Sequence, residues 1–124
     1  MKKYLLCALV LVLGISCKKQ TETKITLVTK TVIKEKVVGK DVQLIDVRTQ
    51  EEYASGHIDD ALNFNIIDNA AFLDQIQELD KSKPVYLYCK MGGRSNRAAL
   101  LLKEEGFAEI YDYSGGYNDW VTEE

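Results

Sequence analysis

An α/β fold of three layers, with a mostly parallel central sheet flanked by helices, is what the sequence predicts. Short apolar runs rich in Val, Ile, Leu and Tyr alternate with stretches whose apolar residues recur at helical spacing. That alternation requires crossover connections, which make neighbouring strands parallel. The run Val85-Tyr86-Leu87-Tyr88 after Pro84 has no charged face, as expected of a strand covered on both sides. The 124 residues, 46% of them hydrophobic, suit one domain with a packed core.

Residues 25–28 read as a short edge strand. Thr29 can cap a short helix over residues 31–38, with Val32, Ile33 and Val37 on one side and Gly39 as its stop. Residues 42–47 read as a buried strand, residues 50–54 as a helix stopped near Gly56, and residues 62–65 as a short strand. Asp68 or Asn69 caps a helix in which Phe72, Ile76 and Leu79 share a face. Residues 85–88 form the central strand. Residues 94–105 form a helix with Ala98, Leu101, Leu102 and Glu105 along one side, ended by Gly106. Residues 109–111 make a last strand, and Gly115-Gly116 opens a short helix through Trp120.

The first residues follow another logic. Met1-Lys2-Lys3-Tyr4 is a basic head, and residues 5–15 are an apolar run of eleven. A membrane-spanning helix needs about twenty apolar residues. The shorter run before Ser16-Cys17 fits a secretory signal segment over residues 1–16. "LGISC" resembles the lipobox of bacterial lipoproteins, with Gly14 where that family usually has leucine. The resemblance implies cleavage before Cys17, a lipid on its thiol, a polar linker over residues 17–24 and a folded domain over residues 25–124. It further implies a bacterial cell-envelope location, lipid-anchored and facing the periplasm or the surface.

Charge is distributed unevenly. Residues 18–40 hold seven lysines and two glutamates, while residues 41–124 hold seven Lys or Arg against seventeen Asp or Glu. A basic tether beside a lipid strengthens attachment to an anionic bilayer; the alternative is a tether charged only for solubility. The acidic domain argues against nucleic acid as a partner.

Of three cysteines, Cys7 would leave with the signal segment and Cys17 would carry lipid. Cys89 then stands alone, with no partner for a disulfide. It lies in "YLYCKMGGRSNRAALLL", where the central strand gives way to a helix. Parallel α/β sheets bind ligands at the carboxyl ends of their strands. Three features there favour the thiolate, the nucleophilic form of cysteine. Gly92-Gly93 let backbone amides curl around one centre, a helix starts near Arg94, and Lys90 and Arg94 add positive charge.

Together, "DVRTQEEYASGHIDDALNFN", the Cys89 segment and "GFAEIYDYSGGYNDW" resemble the rhodanese family of sulfurtransferases in its single-domain form. The resemblance implies that Cys89 accepts a sulfane sulfur from thiosulfate or a persulfide donor, holds it as a persulfide, and passes it to cyanide or a thiol. It implies a cradle of Lys90, Met91, Gly92, Gly93 and Arg94, with Ser95 next in line. Asp46 and Arg48 of "DVR" are expected to form a structural ion pair, with Glu52 as a partner for Arg48. His57 is expected to stabilise its turn; pairing with the cysteine as a catalytic base is the sharper alternative. No cofactor or metal is expected, and the protein should be a monomer.

Two other readings stay open. Related folds use a cysteine loop ending in arginine to hold phosphate-like oxyanions, as phosphatases and arsenate reductases do. Their loop resembles C-x5-R, whereas Cys89 to Arg94 is C-x4-R, a smaller cradle. The third reading is a non-enzymatic module that binds a partner or delivers sulfur within a complex.

Overall fold

A computed structural model describes residues 22–123. The signal-like segment, Cys17 and the linker up to residue 21 lie outside the described residues. Five strands and five helices alternate: β1 (Ile25–Val28), α1 (Lys30–Lys36), β2 (Gln43–Asp46), α2 (Gln50–Ser55), β3 (Leu62–Asn63), α3 (Asn69–Ile76), β4 (Val85–Tyr88), α4 (Gly93–Glu104), β5 (Ile110–Tyr113) and α5 (Gly116–Trp120). All strand pairs are parallel, in the order β1-β5-β4-β2-β3.

Alternation along the strands sorts the core into two layers. Val85 and Leu87 of β4 join Ile45, Ile110, Phe72, Ile76, Ala98, Ala99 and Leu102, the layer covered by α3 and α4. Tyr86 and Tyr88 join Leu44, Tyr113, Ile33 and Val37 on the opposite face, where α1, Tyr53 of α2, and Tyr117 and Trp120 of α5 pack. All four residues of β4 are buried, as its apolar run requires.

The winding reverses between β2 and β4. The chain leaves β2 outward to edge strand β3 with α2 on one face, and leaves β4 toward β5 with α4 on the other. The carboxyl ends of these adjacent strands therefore open a crevice at a topological switch point, where such sheets bind ligands. Cys89 follows β4 there, and Arg48 follows β2.

The expected elements form, with shifted ends. Thr29 caps α1, which begins at Lys30, one residue earlier than its spacing suggests. Asp68 is the cap of α3, its side chain accepting from the Ala71 amide. That helix ends at Ile76, so Leu79 packs against the core from beyond it. β3 has two residues instead of four, because ladder pairing to β2 covers Leu62 and Asn63 only. β5 runs to Tyr113 rather than Tyr111, since Asp112 and Tyr113 pair with both β1 and β4. Folding contacts also begin before residue 25. The Thr23 hydroxyl donates to the Phe107 carbonyl at 2.6 Å, and Lys103 pairs with Glu22 at 3.2 Å.

The loop after β4 is braced by the loop after β5. The amides of Tyr117 and Asn118 donate to the carbonyls of Cys89 and Lys90 at 2.8 and 3.2 Å. Two glycines permit this approach. Gly116 has φ +68°, and a Cβ there would lie 2.5 Å from the Lys90 carbonyl oxygen and 2.6 Å from that of Cys89. Gly92 has φ +96°, and a Cβ there would lie 2.6 Å from the Ser114 carbonyl oxygen. Gly116→Ala therefore imposes left-handed strain and a backbone clash at once. It should destabilise the fold by about 1–3 kcal/mol, read as a lowered denaturant midpoint, and displace the Cys89 loop.

Candidate active site

β4 delivers Cys89 to the switch point as a buried thiol. The chain turns back at Gly92, whose left-handed conformation starts α4. That turn aims the Gly92 amide at the sulfur, and its N–H donates to Cys89 Sγ at 3.0 Å. No side chain caps α4, so its first amides face the loop, where a helix presents partial positive charge. Cys89 Sγ lies 3.6 Å from Ser95 Oγ and donates to it as a thiol, while the Ser95 hydroxyl donates to the Gly92 carbonyl at 3.1 Å. Ser95 is buried, whereas Lys90 is exposed and Met91 is 73% exposed at the rim. The loop thus holds one sulfur among an amide, a hydroxyl and a helix start, with a flexible cation outside.

Arg94 is held by Glu52. Its two terminal nitrogens donate to the two carboxylate oxygens of Glu52 at 2.7 and 2.9 Å, a parallel pair linking the start of α4 to that of α2. The Arg94 guanidinium holds the Glu52 carboxyl down to about 2, burial opposing it and hydrogen bonds from Thr49 assisting. The Thr49 hydroxyl accepts from the Glu52 amide at 3.2 Å, and Glu52 Oε1 accepts from the Thr49 amide at 3.4 Å, a reciprocal cap that fixes the carboxylate. Glu52 stays ionised until pH falls from the ordinary carboxylate range through about 2. Hydrogen bonding to Glu52 is the main cause that raises the Arg94 guanidinium, and burial opposes it.

The expected ion pair of Arg48 with Asp46 is present, and only the expected partnership of Arg48 with Glu52 is corrected, because the turn after β2 folds the Arg48 guanidinium onto Asp46 while Glu52 is taken by Arg94 of α4. Arg48 Nη2 lies 2.6 Å from Asp46 Oδ2 and donates at 2.7 Å to the Gly56 carbonyl. Its amide and Nε donate to Asp46 Oδ1 at 2.9 and 3.0 Å. The guanidinium carbon sits 4.2 Å from the Tyr117 ring centroid and 5.7 Å from that of Tyr88. The Tyr88 hydroxyl donates to Asp46 Oδ2 at 2.7 Å and accepts from the Ile58 amide at 2.9 Å. Burial is the main cause that pushes this phenol far above its ordinary range. Asn63 Nδ2 donates to the carbonyls of Asp46 and Arg48 at 3.2 and 2.9 Å.

His57 is exposed, stacked on Tyr53 with ring centroids 3.9 Å apart, and its Nδ1 lies 3.0 Å from the Tyr53 carbonyl oxygen. These contacts bind it into the turn after α2.

Four residues joined to this region were not singled out in the sequence: Tyr88, Tyr117, Asn63 and Asp112. A tyrosine in a fully apolar strand signals a buried hydroxyl that needs a partner, and Tyr88 could have been found that way. Tyr117 and Asn63 carry no local signal. Among the described residues, no group of three or more His, Cys, Asp or Glu is gathered to hold a metal, and no helix is long and apolar enough to cross a membrane.

Comparison with known proteins agrees with this architecture. The family model of the rhodanese-like domain matches residues 29–123. The thiosulfate sulfurtransferase GlpE of Coxiella burnetii is 37% identical over 86 residues, covering 69% of this chain and 78% of that protein. The Bacillus subtilis protein YqhL is 41% identical over 81 residues, which span 65% of this chain and 62% of that one. A rhodanese-like domain protein from Staphylococcus aureus superposes with a TM-score of 0.68 at 29% identity, over 79% of this chain and 93% of its own. The human single-domain sulfurtransferase TSTD1 gives a TM-score of 0.66 at 26% identity, over 79% and 96% of the respective chains. By the family model, by sequence and by superposition, this chain belongs to the rhodanese-like domain family.

Proposed function

We propose that the protein is a sulfurtransferase whose sulfur carrier is Cys89. The observation that carries this reading is the 3.0 Å hydrogen bond from the Gly92 amide to Cys89 Sγ at the start of α4. A donor fixed on the sulfur before any substrate arrives stabilises the anion that attacks. The Cys89 thiolate attacks the outer sulfur of thiosulfate. The new bond joins Sγ to that sulfur, the donor's S–S bond breaks, and sulfite leaves with the electron pair. An acceptor thiolate or cyanide then attacks the outer sulfur of the persulfide, and Cys89 departs as a thiolate. Lys90 at the rim suits the attraction of an anionic donor, and Ser95 supplies a hydroxyl beside the sulfur. The similarity to thiosulfate sulfurtransferases supports thiosulfate as the donor class to test first.

The pairing of Arg94 with Glu52 favours sulfur over phosphate. A phosphate cradle needs the loop arginine to fork onto the oxyanion, and both arms of this fork are on Glu52.

Mixing the soluble domain with thiosulfate should add the mass of one sulfur, read by intact-mass spectrometry, and Cys89→Ser should add none. Thiosulfate turnover by Cys89→Ser would refute the carrier assignment.

Removing Arg94 leaves the Glu52 carboxylate uncompensated beside an anionic donor. Arg94→Ala should therefore lower kcat/KM for thiosulfate by roughly ten- to a hundredfold, the size of one charged interaction. Adding Glu52→Gln to Arg94→Ala should restore most of the loss. Steady-state kinetics of both variants decide it, because an arginine that grips the donor directly would not be rescued by a change at Glu52.

The same proposal places the domain in the bacterial cell envelope, held by lipid on Cys17. It rests on the signal-like segment and the lysine-rich stretch that follows. Cys17→Ser in the full chain should shift the protein out of the membrane fraction, and native protein without lipid on Cys17 would contradict it.

A further inference from the structure

One buried acid has no place in this mechanism. Asp112 lies in β5, is 1% exposed, and neither of its carboxylate oxygens has a hydrogen-bond partner among the described residues. It is in register with Leu87 of β4 and Leu27 of β1. Strand alternation puts it on the same face as Ile110, the face covered by α3 and α4. Burial raises its carboxyl, and the nearby Ser95 hydroxyl opposes the rise. Ser95 is buried in the first turn of α4, the helix that packs on β5 over the face that carries Asp112, and this places its hydroxyl beside the carboxyl. Its hydroxyl hydrogen is committed to the Gly92 carbonyl, which leaves the carboxyl without a donor. A carboxylate buried without a donor or a cation is far less stable than the neutral acid.

We propose that Asp112 is a positioning residue for sulfur transfer, acting as a neutral acid that donates to Ser95 Oγ and thereby turns the Ser95 hydroxyl onto the Cys89 thiolate. The two states differ by the thiol proton, which passes to solvent when the thiolate forms, and by the hydrogen-bond directions that follow. With a thiol, Cys89 donates to Ser95 Oγ, and Ser95 donates to Gly92. With a thiolate, the sulfur has lost its donor hydrogen and needs one more from its surroundings. The Ser95 hydroxyl rotates to supply it, and the oxygen lone pair so freed accepts from the Asp112 acid. Beyond the thiol proton lost to solvent, Ser95 and Asp112 each keep their own, and the anion gains a second donor beside the Gly92 amide. The neutral acid is suited to this task, because an ionised carboxylate would compete with the sulfur for the same hydroxyl hydrogen.

This inference rests on the sulfurtransferase reading for its biological meaning, so its test uses readouts that need no sulfur donor. The first is the infrared band of a protonated carboxyl in the wild-type protein at neutral pH. The band should be present, should be missing in Asp112→Asn, and should shift when Cys89 is alkylated. The second is the pH profile of Cys89 alkylation by iodoacetamide. Asp112→Leu removes the donor and should move the profile upward by roughly 0.4–1 pH unit, the equivalent of one hydrogen bond. Asp112→Asn keeps an N–H donor and should stay near the wild type. Ser95→Ala should shift the profile as Asp112→Leu does, and combining the two should add little. Lys90 and Arg94, the cations of the loop, are unchanged throughout.

Stability should move the other way. The raised carboxyl lets Asp112 favour folding at low pH, and that contribution is lost as pH rises above the ordinary 3.8 through the folded value. Asp112→Asn should therefore unfold at a higher temperature than the wild type at neutral pH. Absence of the protonated-carboxyl band, or equal profile shifts in Asp112→Asn and Asp112→Leu, would overturn the proposal. If Asp112→Leu does not fold, the band, its response to alkylation and the Ser95→Ala profile decide alone. A wild-type protein inert to thiosulfate that still shows the band and the profiles counts against the sulfurtransferase reading only.

Discussion

The Asp46 carboxylate is buried where a lone charge would be prohibitively costly, and the crevice between β2 and β4 is built around what compensates it. Arg48 folds back to meet it from the turn after β2. Tyr88 reaches it from the end of β4. The Tyr88 hydroxyl holds the Ile58 amide, and Arg48 holds the Gly56 carbonyl, so the turn after α2 is tied to the same centre. Tyr117 of α5 closes over the guanidinium. Removing one partner of such a pair leaves the other uncompensated, which costs about 3–5 kcal/mol. The network joins two adjacent strand ends, a turn and the last helix. These are the parts that must stay in register if the loop between Cys89 and α4 is to keep its shape.

That loop is held from the other side by close backbone approach rather than by charge. The α5 amides grip the carbonyls of Cys89 and Lys90, and Gly116 and Gly92 leave no room for a side chain between the two loops. Rigidity has a chemical consequence here. A donor fixed on the sulfur stabilises an anion without reorganising when the anion forms. The capped start of α2 extends the same design, because Thr49 fixes Glu52 and Glu52 fixes Arg94. Each part of the loop is thereby located by an element other than the one that bears it.

Local sequence signals carried much of this. Apolar alternation and glycine punctuation gave the order and type of the elements, since each depends on a few neighbouring residues. Pro84 and the VYLY run marked the central strand, and with it the location of Cys89. Pairings between distant segments were not legible. Arg48 lies two residues from Asp46 and four from Glu52, and spacing alone allows either partner. Only the meeting of α2 with α4 assigns Glu52 to Arg94. β5 extends beyond its apolar start to Tyr113 for a related reason. Asp112 is a poor strand former, and its inclusion follows from simultaneous pairing with β1 and β4.

The same residue shows how the two halves of the site differ. On the face of α1, α2 and α5, the buried acid Asp46 is matched by a cation, a phenol and a backbone amide. On the face of α3 and α4, the Asp112 carboxyl has no hydrogen-bond partner among the described residues. The unpartnered one sits on the side of the sheet that carries Cys89, where an uncharged acid can relay a hydrogen bond and a second anion would oppose the first. Satisfied charge on one face gives the crevice its shape, and unsatisfied polarity on the other is left free to respond to the state of the sulfur.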